Sequence, residues 1–347
     1  MDINKLFALT KEKFASDLHL GVGEPPVLRI NGKLEKMDLP ILTVEEVKNI
    51  INSILTNNQK TRYEEDWELD FSLEAKNIAR FRVNVYKQRK GDALAFRLIP
   101  AVIKSIEDLE LPLQIKEFVN YQRGLILATG PTGSGKSTTL AAIMDLINKE
   151  RHDHIITIED PIEFIHENKN CIINQREVGY HTKSFANALR SALREDPDVI
   201  LVGELRDLAT ISMAITAAET GHVVMATLHT NDCATTVDRL IDVFPPEQQR
   251  QVRVQLAASL KAVIAQSLIP RIDKKGLIAA TEIMVGTTAI SSLIREGKTH
   301  QIPSIIQTSA KDGMQTMDQG LKKLVIDKKI DKSEAVKRSL NKELIYK

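Results

Sequence analysis

Residues Gly130 to Ser137 read GPTGSGKS, a full match to GxxxxGK[ST], inside the stretch LILATGPTGSGKSTTLAAIMDLI. No other segment limits the fold so tightly. The apolar run before the glycines predicts a strand and the run after them predicts a helix, which is the context in which this motif cradles phosphate. Glycine lets the backbone turn so that successive N–H groups face inward, and the helix amino end adds partial positive charge. Gly130, Pro131, Thr132, Gly133, Ser134, Gly135, Lys136, Ser137 and Thr138 are therefore the expected nucleotide-binding residues. Lys136 is expected to reach the β- and γ-phosphates and Ser137 to offer its hydroxyl to Mg2+, so ATP and Mg2+ are the expected cofactors.

Three further apolar runs follow, HIITIED, DVILVGE and HVVMATL, separated by segments with helical spacing. Alternation of this kind predicts a parallel sheet with helices on both faces. Ligands of such sheets lie outside the carboxyl ends of the strands, and these runs end on polar residues. One delivers Glu204. Another delivers Glu159, Asp160 and, past Pro161, Glu163. The third begins with His222 and ends at His229. A carboxylate at Glu204 can orient or deprotonate an attacking water, or hold Mg2+ through water. An imidazole at His229 can hydrogen-bond a phosphate and report its loss. Asp160 also suits a turn before Pro161, and His222 also suits a plain strand start.

The first hundred residues have a different pattern. MDINKLFALTKEKFA spaces Ile3, Leu6, Phe7 and Phe14 as a helix does. Asn31-Gly32 marks a hairpin in PPVLRINGKLEKM. Thr43 with Glu46 forms a capping box for a second helix. LDFSLE, ARFRVNVYKQ and ALAFRLI read as strands of a small antiparallel sheet, and the acidic stretch Thr61 to Asp70 as surface. The expected division is an α+β domain over residues 1–100, a linker over 101–115 flanked by Pro100 and Pro112, and an α/β domain over 116–347 that is mainly helical from about Leu256.

Lys and Arg number 47 and Asp and Glu 46, a formal net charge of +1. No global field draws such a chain to nucleic acid or anionic lipid, and with 4% aromatic residues a base-stacking platform is disfavoured. Nucleic acid is not an expected partner. Cys171 and Cys233 form no CxxC pair, which excludes a cysteine zinc site and fits a reducing cytosol. The start carries no apolar signal segment, and no apolar run approaches the roughly 20 residues of a membrane span. A cytoplasmic protein without membrane insertion is expected.

The phosphate loop, the acidic box TIEDPIEF, the strand ending VGELRD and the histidine box GHVVMATLHTND, in this order, resemble the secretion-type hexameric ATPases. Within that group the chain is similar to the PilT-like type IV pilus retraction ATPases, over nearly its whole length, including FRVNVYKQRKGDALAFRLIP and LIREGKTHQI. The resemblance implies a PAS-like amino-terminal domain, a RecA-like ATPase domain and a homohexameric ring. It implies docking on an inner-membrane pilus platform protein at the cytoplasmic face, and ATP-driven return of pilin subunits to the membrane. By motif it implies that Glu204 is the catalytic glutamate, Glu163 the acidic-box carboxylate, and His222 and His229 the histidine box. Ser137, Glu163 and Glu204 are then the residues near the metal. It also implies first-domain arginines at the nucleotide, with Arg80, Arg82 and Arg97 as candidates; Arg80 and Arg82 share one strand face. The family's late motif AIRNLIRE reads AISSLIRE here, with Ser291 and Ser292 as the departures. The alternatives are an extension or secretion motor, whose ATPase domain usually carries paired zinc cysteines, or an accessory retraction paralogue. Outside this class stand a nucleic-acid motor on the same core and a non-catalytic scaffold.

Overall fold

The computed structural model describes residues 2–346 except 31, 77, 100, 101 and 275. The chain divides into two compact units, Met1–Val102 with Pro161–Ile165, and Ile103–Asp160 with His166–Lys347.

The first unit contains α1 (Ile3–Glu12), β1 (Asp17–Gly21), β2 (Val27–Ile30), β3 (Lys33–Lys36), α2 (Val44–Ile54), α3 (Asn57–Asp66), β4 (Glu68–Ala75), β5 (Ala79–Gln88) and β6 (Gly91–Ile99). Among the described residues its sheet runs β3-β2-β1-β6-β5-β4, antiparallel throughout. β5 alternates as a half-buried strand must. Phe81, Val83 and Val85 enter the core, and Arg80, Arg82 and Asn84 take the other face. Phe7 from α1 stacks on Phe81 at 4.4 Å and meets Phe96 edge-on at 5.1 Å, which ties helix to sheet. α2 starts at Thr43 with both bonds of the Thr43–Glu46 capping box formed.

One local expectation is corrected here, while the acidic stretch lies mostly at the surface and the hairpin forms, both as expected. Phe14 is not on the helical stripe: α1 stops at Glu12, and Phe14 takes φ 51° and is exposed. Part of the acidic stretch is a helix, α3, which buries only Gln59 and Tyr63 and so lacks an apolar stripe; its signature is the capping box of Thr56 and Gln59. The hairpin of β2 and β3 is formed, with Asn31 outside the described residues.

The second unit follows with a 3-10 helix (Leu113–Asn120), β7 (Gly124–Thr129), α4 (Lys136–Glu150), β8 (His154–Glu159), β9 (Ile172–Glu177), α5 (Phe185–Ala192), β10 (Val199–Val202), α6 (Leu208–Glu219), β11 (Val223–Leu228), α7 (Cys233–Asp242), α8 (Pro246–Ser259), β12 (Leu260–Pro270) and β13 (Leu277–Val285). Helices α9 (Thr288–Glu296), α10 (Ile302–Thr308), α11 (Met317–Ile326), α12 (Lys332–Arg338) and α13 (Lys342–Tyr346) complete it. The sheet order is β13-β12-β7-β11-β10-β8-β9, parallel except for the antiparallel edge strand β13. β7, β10 and β11 are buried at every residue, as continuous apolar strands sandwiched by helices are. Each such Val, Ile or Leu side chain contributes about 1.5–3 kcal/mol by leaving water.

The stretch after Leu256 is helical from Thr288 onward, but β12 and β13 come first. Their β-branched runs Val263-Ile264 and Ile283 are buried in the sheet, so strand packing overrides a helical reading. From Ile103 on, the expected linker over 101–115 belongs to the second unit. Ile106, Leu111 and Ile115 are buried in one cluster with Leu140, Ile143 and Ile147 of α4. Apolar spacing, not the bounding prolines, decides where that segment lies; Pro100 is outside the described residues.

Candidate active site

Because β7, β11, β10 and β8 are parallel neighbours, their carboxyl ends open on one edge of the sheet. Across that edge stand the glycine loop after Thr129, His229 after Leu228, Glu204 just beyond Val202, and Glu159-Asp160 at the end of β8.

The loop runs from β7 into the first turn of α4, with φ values of 140°, 78° and 88° at Gly130, Gly133 and Gly135. At Gly130 a Cβ would lie 2.3 Å from the Gln266 carbonyl oxygen and 2.6 Å from Ser134 Oγ, so only glycine fits. Lys136 is buried, and its Nζ donates to the carbonyls of Gly130 at 2.9 Å and Pro131 at 3.1 Å. The ammonium is thus held over its own loop, where it can meet phosphate oxygens. Pro131, Thr132 and Gly133 are exposed, and Ser137 and Thr138 are partly so, which leaves the cradle open to a ligand.

Glu204 is the electrostatic centre of the edge. Its Oε2 accepts from Arg206 Nη2 at 2.8 Å, and its Oε1 lies 3.1 Å from His229 Nε2. Burial pushes the Glu204 carboxyl up, but Arg206, His229 and Lys136 together outweigh it and hold it below the usual carboxylate range. The carboxylate is therefore ionised at neutral pH, as a group that orients or deprotonates water must be. The backbone around it is fixed as well: Thr227 Oγ1 donates to Gly203 O at 2.5 Å, and Leu205 N to Thr227 O at 3.0 Å. The oxygen donors at this edge, the Ser137 hydroxyl and the Glu204 carboxylate, suit a hard cation held mainly by phosphate and water, so they fit Mg2+.

Other expected residues fall elsewhere. His222 precedes β11 and so lies at the amino edge of the sheet, roughly 20 Å along the strand from His229 at about 3.3 Å per residue. Its Nδ1 meets Ala217 O at 3.0 Å, near the carboxyl end of α6. The structure does not bring it to Glu204. Glu159 is buried and accepts from Thr157 Oγ1 at 2.7 Å and Gln175 Nε2 at 3.2 Å, a bracing role between β8 and β9. Glu163 is exposed and lies in Pro161–Ile165, the segment that groups with the first unit.

In the first unit the three arginines share one sheet face. Arg82 stands directly opposite Arg97, and Arg80 is two residues from Arg82. Arg97 Nε donates to Asp17 Oδ1 at 2.9 Å, while Arg29 Nε lies 3.5 Å from Asp17 Oδ2. Arg29, Asp17, Arg97, Arg82 and Ser72 thus form one cross-strand row.

The sequence reading missed Gln266, whose side chain contacts the loop from β12. A lone amide inside the apolar run AVIAQSLI was its only signal.

The type II/IV secretion system protein family matches residues 2–285, most of the chain. The chain belongs to that family. It is 51% identical over 335 residues to the type IV pilus retractation ATPase PilT of Pseudomonas aeruginosa, covering 96% of this chain and 97% of that one. It is 50% identical over 318 residues to a twitching motility protein of Neisseria gonorrhoeae, covering 92% and 85%. The crystal structure of the pilus retraction motor PilT with bound ADP superposes with a TM-score of 0.92 at 45% identity, covering 99% of this chain and 98% of that one. This family member is accordingly a PilT-like ATPase, with an α+β amino-terminal domain followed by a RecA-like ATPase domain. Among the described residues no helix is long and apolar enough to cross a membrane.

Proposed function

We propose that this chain hydrolyses ATP with Mg2+ to drive the disassembly and retraction of a type IV pilus. The observation that carries the reading is Glu204, kept ionised between Arg206 and His229 on the same strand edge as the Lys136 loop. The loop binds the β- and γ-phosphates through Lys136 and its backbone N–H groups. Ser137 and Glu204 would hold Mg2+, which would supply charge neutralisation at the phosphates. Glu204 orients and deprotonates the attacking water, and His229 senses the γ-phosphate through its contact with Glu204.

The acidic-box Glu163 and an arginine of the Arg80, Arg82 and Arg97 face are assigned to the nucleotide on motif resemblance. His222 is assigned with them to the histidine box, acting from the amino edge of β11 and not beside Glu204. The working form is a homohexamer at the cytoplasmic face of the inner membrane, docked on the pilus platform protein. Near-neutral charge supports a protein partner over nucleic acid.

Retraction is favoured over extension by the cysteines. Cys171 and Cys233 are both buried, with Sγ atoms turned to the backbone oxygens Arg151 O at 3.2 Å and Val263 O at 3.6 Å. Neither belongs to a zinc site of paired thiolates. The test is the number and length of surface pili on cells lacking the protein, complemented with the wild type or with Glu204→Gln. Excess pili that do not shorten, restored by the wild type only, are expected. Bald cells would make the chain an assembly motor.

A further inference from the structure

Gln266 is 2% exposed in the middle of β12, beside the phosphate loop but outside its motif. Both ends of its amide are engaged. Nε2 donates to the Ser134 carbonyl at 2.6 Å, and Oε1 accepts from Thr139 Oγ1 at 2.9 Å. Thr139 lies in the first turn of α4 and is itself buried. Asn would be too short for the same pair of bonds, and a carboxylate could serve only the Thr139 half of it. The Ser134 carbonyl, which can only accept, fixes which way the amide faces, and the Thr139 hydroxyl then supplies the donor that holds the carbonyl end in place.

The Ser134 carbonyl belongs to the same peptide unit as the Gly135 N–H. In a trans peptide the two point in opposite directions. A hydrogen bond that draws the carbonyl toward β12 therefore turns the N–H away from β12. Gly135 needs such a constraint, because φ 88° is a region in which glycine moves freely. β12 also walls the loop at two more points. The Gln266 carbonyl oxygen closes on Gly130, and a Cβ at Gly135 would stand 3.0 Å from Gln266 Nε2.

We propose that Gln266, its carbonyl end anchored by Thr139, is a positioning residue that aims the Gly135 N–H at the nucleotide phosphates. It touches neither substrate nor metal. It acts by holding one peptide plane of the cradle in the binding orientation before the ligand arrives, so that the ordering is not charged against affinity. The inference rests on the phosphate-loop reading above.

The test uses the full chain with Mg·ADP as the probe. Dissociation constants are measured for Gln266→Met, Gln266→Glu, Thr139→Val and Thr139→Ser, with melting temperatures taken without nucleotide. Gln266→Met and Gln266→Glu are expected to weaken Mg·ADP about tenfold or more, the scale of one or two lost hydrogen bonds. Thr139→Val is expected to weaken it severalfold, and Thr139→Ser, which keeps the hydroxyl, to stay within about twofold of wild type. In turnover the loss should appear in KM more than in kcat, since the bond is made in the ground state as well.

A purely structural role would lower the melting temperature while the folded protein kept its Mg·ADP affinity, and that result would overturn the proposal. So would equal affinities of Thr139→Val and Thr139→Ser, a comparison that survives even if the Gln266 variants do not fold. Lys136→Ala serves as the control for the underlying reading. If it too binds Mg·ADP normally, the loop is not the phosphate site; if it alone loses binding, only the role of Gln266 fails.

Discussion

The two units place charge in opposite ways. In the second, polar groups sit where strands end: the loop after β7, His229 after β11 and Glu204 after β10 meet because neighbouring parallel strands stop together. In the first, charge lies across a sheet face, where Arg29, Asp17, Arg97 and Arg82 line up only because four strands share one register. The edge is a set of loop residues on a rigid apolar scaffold, free to do chemistry. The face is a ladder in which Arg82 opposite Arg97 is unfavourable by itself and is offset by one buried carboxylate, Asp17. Edge residues can change without unfolding the sheet; face residues hold their strands in place as well.

Mutations separate the two. The largest effect is expected from Lys136→Ala, which removes the loop's only lysine: ATP turnover should fall by about 10³-fold or to background, while the melting temperature stays close to wild type. Glu204→Gln should slow hydrolysis by at least about 10²-fold and leave Mg·ADP affinity within a few-fold. Turnover near wild type would remove Glu204 from catalysis and leave the edge without its base.

Acid should find a weak point beneath the edge. Burial pushes His166 down from 6.5 to about 4, with Asp145 opposing and Lys169 assisting. Its backbone N–H holds Gln175, which in turn holds Glu159. Since the folded value is depressed, the unfolded chain binds the extra proton between those two values, and stability is lost as pH falls from about 6.5 toward 4. The loss is at most about 3 kcal/mol. Urea midpoints between pH 7 and pH 4.5 should show it, and His166→Leu should flatten that limb.

The smallest effect is expected on the face. Asp17→Asn leaves Arg29 and Arg97 without their common partner, beside Arg82, and should destabilise the first unit by about 1–2 kcal/mol. That is below a fully buried pair, because Arg97 is 70% and Arg29 36% exposed at the side chain. Added salt should shrink the loss by screening the arginines from one another. A salt-independent loss would mean that packing, not charge, holds the row.

The sequence by itself determined the phosphate loop, the parallel strands that flank it and the polar residues at their ends. Those features are local: a glycine pattern, an apolar run and the residue that follows it lie within a few positions of one another. It also determined the capping box at Thr43 and Glu46 and the alternation that puts Arg80 and Arg82 on one face. Only the tertiary structure decided that Ile106 to Ile115 pack under α4 and that β12 precedes the carboxyl-terminal helices. It alone set Arg97 against Asp17, 80 residues away, and laid Gln266 against a loop 132 residues earlier. Each of these depends on which strand lies beside which, and strand order comes from burial and register summed over the whole sheet, which no short stretch of sequence contains.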